Sequence, residues 1–363
     1  MTAQRTSWLA ILLFSLWLAA CARTPIAKMP PVDRAEIAAR MDADIKALAS
    51  DALLGRKPGT PGSRATIAYL ERRMGEIGLV SGTNDPGSYW QLPVDLVATE
   101  PHAGRLTLEQ GKRMVILKDS EAAVFTSRRR ALAAGGPGTG VPVVFVGNGD
   151  GSVLGDAVAG AAVLMLADPG RDAARRDALL RQRATAVITV LPDAAALAEV
   201  RRLEERDRLM LAIDERDTLS AYITDAALAR ALGPKRWNRL KTEAGEADFA
   251  PLELNLAITL EASSDRREFT SQNLIGMIPG SQPGSGAVLL LAHWDHLGEC
   301  GPPEAADRIC NGAADNASGL AMMLELGRRL KTGPALGRDI YLLATTAEEA
   351  GLIGIRSFVR NPS

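Results

Sequence analysis

The stretch "AVLLLAHWD" (residues 287–295) carries an unbroken apolar segment straight into His293 and Asp295. Val288 to Leu291 is the kind of continuous run found in strands buried on both faces of an α/β sheet. "RDIYLLATTAEEAG" (338–351) repeats the pattern, with Ile340 to Leu343 as a buried strand running into a loop that holds Glu348 and Glu349. In open α/β sheets functional groups collect beyond the carboxyl ends of the strands. Between the two runs, "NASGLAMMLELGRRLK" (316–331) places Leu320, Met323, Leu324 and Leu330 at helical spacing, so Asp315 sits near a helix N-terminus. Three segments thus aim carboxylates and an imidazole at one edge, and several acids in one cleft repel one another unless a cation neutralises them.

Each residue also has a plainer use. Asp315 can cap its helix, Glu348 and Glu349 can be a solvated loop pair, and His293 can be a core histidine hydrogen-bonded to Asp295. The constellation, rather than any member of it, points to a divalent metal.

Working outward, "QNLIGMIPG" (272–280) reads as a strand adjacent to 287–295 across a Pro/Gly turn. Towards the N-terminus, "RAEIAARMDADIKALASDAL" (34–53) and "ATIAYLERRMGEIGL" (65–79) are amphipathic helices joined by "GRKPGTPGS" (55–63), read as a loop that cannot be helix. Residues 105–262 contain short strands, "VPVVFVGNG" (141–149), "AAVLMLADPG" (161–170) and "TAVITVL" (185–191), and a charged helix, "RDAARRDALLRQRA" (171–184). They form a small α/β or β-rich module.

The 363 residues suffice for two domains or one large one, and 47% hydrophobic content is ample for a core. A net charge of −1 leaves no excess of Lys and Arg for phosphates, which argues against a nucleic-acid partner. Arg5 precedes an apolar stretch, Leu9 to Leu18, too short to span a bilayer and followed by Ala19-Ala20-Cys21. This resembles a bacterial lipoprotein signal, with Cys21 lipidated as the mature N-terminus; the alternative is an ordinary signal peptide cut at a small-residue site, with Cys21 incidental. The lipoprotein resemblance implies export and lipid anchoring in the cell envelope, and Ala22 after the cysteine favours the outer membrane. In an oxidising compartment Cys300 and Cys310, which flank a Gly-Pro-Pro loop, are expected to form a disulfide. Two metal thiolates are the competing reading, but the spacing is not that of zinc motifs.

His293-Trp294-Asp295, Asn311 to Gly319 with its Asp315-Asn316-Ala317-Ser318-Gly319 core, and Glu348-Glu349-Ala350-Gly351-Leu352 resemble the H-x-D, D-N-A-S-G and E-E-x-G-L signatures of the M28 zinc metallopeptidases of the bacterial aminopeptidase type. "LASDALLGRKPGTPGS" (48–63) is similar to that family's N-terminal helical region, and 105–262 looks like an inserted protease-associated (PA) domain. The resemblance implies an α/β fold, a three-layer mixed sheet with an inserted β-rich PA-like domain. The divisions are 1–21 signal, 22–104 first peptidase part, 105–262 insert and 263–363 catalytic part.

By the same resemblance, the activity is hydrolysis of N-terminal peptide bonds on peptides or proteins, with two Zn2+ per complete site. His293 ligates one zinc, Asp315 bridges both, Glu349 ligates the other, Asp295 orients the His293 ring and Glu348 is the general base; His296 is a hydrogen-bonding support. The family also uses an Asp beyond the Glu-Glu pair and a His nearer the C-terminus. The chain ends at Ser363 and its remaining histidine, His102, is a poor substitute. The catalytic domain is therefore expected to be incomplete at the C-terminus and its activity impaired. The alternative is a non-catalytic PA-domain binding protein with a relic peptidase domain. The anchoring expectation has a direct check: expressed in a Gram-negative host, the chain fractionates with membranes and Cys21→Ser releases it, whereas equal membrane association of the variant contradicts the lipid anchor.

Overall fold

The computed structural model describes residue 31 and residues 33–362 apart from 86–88, 127–130, 137, 150–154, 216–218, 247, 283 and 303. The leader and Cys21 lie outside the described residues. Among these, no helix is long and apolar enough to cross a membrane. The fold is mixed α/β, and the chain divides into two compact units, 1–92 with 273–345 and 93–272 with 346–362.

In the first unit, helix α1 (Arg34–Leu48) starts where the Asp33 side chain accepts hydrogen bonds from the amides of Ala35 and Glu36. A short 3-10 turn, Asp51–Arg56, follows. Helix α2 (Pro61–Ile77) is capped by Thr60, with Pro at its first position and Gly78 in the left-handed conformation at its end. The segment 55–63 is therefore not all loop: proline is pre-organised for a first helical position, where its missing N–H would have no partner anyway, so helix begins three residues earlier than its Gly/Pro content suggests. Buried Asp44 ties the helices together, accepting from Tyr69 Oη at 2.5 Å and from Arg73 Nε at 2.8 Å and Nη2 at 3.0 Å.

A long strand, β1 (Leu252–Ile278), enters this unit through its last residues. It is followed by β2 (Ala287–His293), helix α3 (Ser318–Thr332) and β3 (Asp339–Thr345). Strand β3 pairs antiparallel with β1, Leu274 opposite Ala344, and parallel with β2, Ala287 opposite Asp339 through His293 opposite Thr345. Two expectations are corrected here. Residues 272–280 and 287–295 are not neighbours, because the chain leaving β2 crosses over through α3 and brings β3 in between. Among the described residues β2 also ends the strand order and is not buried on both faces, with Val288, Leu289 and Leu291 39–51% exposed. An apolar run reads alike whether the sheet covers it or not. The core beneath is Leu48, Leu70, Met74, Trp294, Leu320 and Leu342, all fully buried, each contributing about 1.5–3 kcal/mol.

In the second unit, 141–147, 162–166, 186–191 and 219–224 form a parallel run closed by antiparallel 122–126 at one side and by 252–258 of β1 at the other. Helices Asp172–Arg181 and Ala194–Glu204 connect the parallel strands, and Phe145 packs edge-on against Trp237 in its core.

Glu325 on α3 is nearly buried and accepts from Arg40 of α1 at 2.9 Å and from Arg328 at 2.8 and 3.0 Å. Burial pushes its carboxyl up, but the hydrogen bonds from Arg328 and Arg40 outweigh it and hold the group at about 2. A carboxylate depressed in the folded state stabilises it above the unfolded value, and that contribution fades as pH falls towards the folded value. Glu325→Gln therefore lowers stability by roughly 1–3 kcal/mol at neutral pH, and the deficit shrinks between about 4.5 and about 2. Thermal unfolding across pH measures it, and a deficit independent of pH contradicts the network's role.

Candidate metal centre

His293 is the last residue of β2, and the next amide, Trp294 N, donates to Thr345 O of β3 at 2.9 Å. The two strands thus end level, and the chain turns away from both with Trp294 locked in the core. This leaves the His293 imidazole at the carboxyl edge, 12% exposed, with Asp295 almost completely buried. Nδ1 of His293 stands 3.2 Å from the backbone carbonyl of Asp295 and 3.7 Å from its Oδ1. A carbonyl only accepts, so in this contact Nδ1 carries a proton, and in the neutral ring Nε2 is left with the lone pair. Asp295 thus meets the ring first through its main chain rather than its carboxylate.

Nε2 faces Asp315 Oδ1 at 3.0 Å. A lone pair opposite an anionic oxygen at that distance is unfavourable unless a proton or a cation lies between them. Asp315 is held there by an irregular turn, Ala313–Ala317, that precedes α3. Its backbone is extended, at φ −115° and ψ 98°, and the peptide bond to Asn316 is cis. The capping alternative for Asp315 is not what the turn uses it for: Asn316 Oδ1 accepts from Gly319 N at 3.2 Å, while the Asp315 side chain is 64% exposed. His296 also comes into this group, with a ring nitrogen within 4.8 Å of an Asp315 oxygen. Its ring borders Gly312, whose φ of +58° and crowded surroundings admit no side chain, since a Cβ there would lie 2.2 Å from Asp315 O and 2.7 Å from His296 Cδ2.

Cys300 and Cys310 form a disulfide, with Cα atoms 5.8 Å apart. It closes the segment between the histidines and Asp315, where 298–299 pairs with 309–310.

One residue stands out that sequence reasoning passed over. Arg56 is completely buried. It donates from Nε to Trp294 O at 2.9 Å, from Nη1 to Asn311 O at 2.6 Å and to Leu48 O, and from Nη2 to Gly312 O at 3.0 Å. Nothing in the composition around it announces burial; the available signal was its place in 48–63, a segment already singled out.

Glu348 and Glu349 stand three and four residues beyond Thr345 in sequence and belong to the second unit. Their backbone is tightly turned there: Gly351 N and Leu352 N donate to Glu348 O, Ile353 N to Ala347 O, and Ala347 adopts a positive φ of 52°. The helix that follows, Ile353–Arg360, is anchored within the same unit by Arg356 and Arg360, which both bind Asp214. Glu348 is half-buried and Glu349 exposed.

The family model of Peptidase family M28 matches residues 273–363. A curated relative, aminopeptidase YwaD of Bacillus subtilis, is 35% identical over 121 residues, covering 33% of this chain and 23% of its own; the chain therefore spans less than a quarter of that relative. Among solved structures, an aminopeptidase from Aneurinibacillus sp. strain AM-1 is 19% identical over 90% of this chain and 66% of its own, with a TM-score of 0.49. BSAP, a zinc aminopeptidase from Bacillus subtilis, is 19% identical over 90% and 65%, with a TM-score of 0.39. Every candidate ligand named above, from His293 to Glu349, falls inside the segment that the Peptidase family M28 model matches.

Proposed function

We propose that the chain is a zinc-dependent aminopeptidase that hydrolyses N-terminal peptide bonds. The observation that carries this reading is the His293 Nε2 to Asp315 Oδ1 approach of 3.0 Å with Nδ1 turned to a carbonyl. A neutral imidazole nitrogen and a carboxylate are the donor set that zinc takes; at 3.0 Å a proton or a cation lies between them, and in this reading it is the cation. The zinc named for the Bacillus subtilis structure supports the choice of metal.

In this reading His293 would hold one zinc, Glu349 would hold the other and Asp315 would be shared by both. Glu349 is assigned by its motif and its place four residues beyond the strand end that pairs with His293. His296, near Asp315, supports the cluster. When bound, the metal pair polarises the scissile carbonyl and makes water acidic enough to attack at neutral pH. Asp295, through its carbonyl, keeps the His293 ring in the tautomer that presents Nε2 and prevents it from turning. Glu348 accepts the proton of the attacking water and passes it to the departing amine, a transfer that typically contributes 10²–10⁴-fold. The 105–262 region is read as a PA-like insert beside the peptidase, and the protein as exported and held to the envelope through Cys21. The converging donors favour a peptidase over a non-catalytic relic.

Release of a chromogenic amine from aminoacyl anilides tests the proposal. The expected result is activity, however impaired, that a chelator removes and zinc restores and that falls at least 100-fold in Glu348→Gln. Activity indifferent to the chelator contradicts the metal, and a fully active Glu348→Gln removes Glu348 as the base.

A further inference from the structure

We infer that Arg56 is a positioning residue for the metal centre, a clamp that sets the His293 segment and the Asp315 turn at their working separation. The inference rests on the metal-site reading above. The guanidinium is fully buried and its donors are spent on main-chain carbonyls from three separate segments, Leu48 at the end of α1, Trp294, and the pair Asn311 and Gly312. Trp294 lies between His293 and Asp295. Gly312 begins the turn that holds Asp315, and its carbonyl also accepts Ala317 N at 3.1 Å, closing that turn. One rigid, planar group thus spans both donor-bearing segments, as a fork of five N–H donors can and a single ammonium cannot.

The fit is close from every side. At Gly312 a Cβ would stand 2.6 Å from Arg56 Nη2 and 2.7 Å from His296 Cδ2, so the guanidinium and the imidazole crowd the same point. Gly55, with φ +61°, lies so near the hairpin between the cysteines that a Cβ would come within 2.6 Å of both Cys310 O and Gly298 O. Arg56 itself has a φ of +54°, and Leu54 one of +48°. Three successive left-handed residues, two of them non-glycine, are backbone strain of the kind that persists only where surrounding contacts over-determine it, and here those contacts include Trp294 O, Asn311 O and Gly312 O in the donor-bearing segments. Shifting either segment would change the 3.0 Å His293 to Asp315 approach directly.

The test compares the unaltered chain with Arg56→Lys by zinc titration against a chromophoric chelator, by the visible spectrum of the cobalt(II) form and by kcat and KM on an aminoacyl anilide. Circular dichroism and thermal unfolding without metal establish that the variant is folded. A residue that merely packs moves the unfolding temperature alone. The clamp predicts a folded variant that binds zinc 10–100-fold more weakly, with an altered cobalt spectrum and kcat reduced more than KM is raised. A folded variant with unchanged zinc affinity and cobalt spectrum overturns the clamp and leaves the metal site standing. Failure of the unaltered chain to bind zinc overturns the metal site, and the clamp with it. Should Arg56→Lys not fold, hydrogen exchange on the unaltered chain decides: zinc is expected to slow exchange at 51–57 together with 293–298 and 311–317, and protection of the donor segments without 51–57 contradicts the coupling.

Discussion

Parallel pairing of β2 with β3, residue by residue from Ala287–Asp339 to His293–Thr345, is the constraint on which the candidate centre depends. Side chains alternate along a strand, so a slip of one residue would turn His293 to the opposite face. The bond from Trp294 N to Thr345 O extends the register one step past the strands, and burial of the Trp294 ring stops the chain from sliding. The crossover through α3 then has one place to begin, and the turn holding Asp315 lies at that start.

Around the register, the polar chemistry works through main-chain groups more than through charge pairs. The His293 tautomer follows from a carbonyl, and Arg56 organises two segments by binding carbonyls. Such bonds are worth more in a buried setting than at the surface, because an unmet carbonyl there loses its hydration with nothing in return. The Glu325 network with Arg40 and Arg328 belongs to another class: it joins α1 to α3 and bears on stability and acid tolerance.

Strand ends and the helix after Asp315 were legible because apolar runs and 3.6-residue spacing are local properties. The disulfide was legible from the placement of Cys300 and Cys310 about a Gly-Pro-Pro loop. The edge position of β2 was not, since the order of strands depends on where a crossover returns, and nothing within 272–295 encodes that β3 will separate 272–280 from 287–293. The start of α2 at Pro61 was hidden by reading glycine and proline as breakers when one of them was a helix initiator. Arg56 escaped because a buried arginine and a solvated one look alike in sequence; only the carbonyls it meets distinguish them. Asp315 lay between two readings, cap and ligand, and its exposed side chain, facing His293 while Asn316 accepts from Gly319 N, is what the sequence could not show.

The central claim is that His293 and Asp315 bind a common metal ion. Anomalous diffraction at the zinc absorption edge, from crystals grown with zinc, tests it most directly. The account predicts a peak about 2.0–2.2 Å from His293 Nε2 and from a carboxylate oxygen of Asp315, with Nδ1 of the same ring still bound to the Asp295 carbonyl. A zinc peak that engages neither residue, or none at this position in protein that hydrolyses aminoacyl anilides, would contradict it.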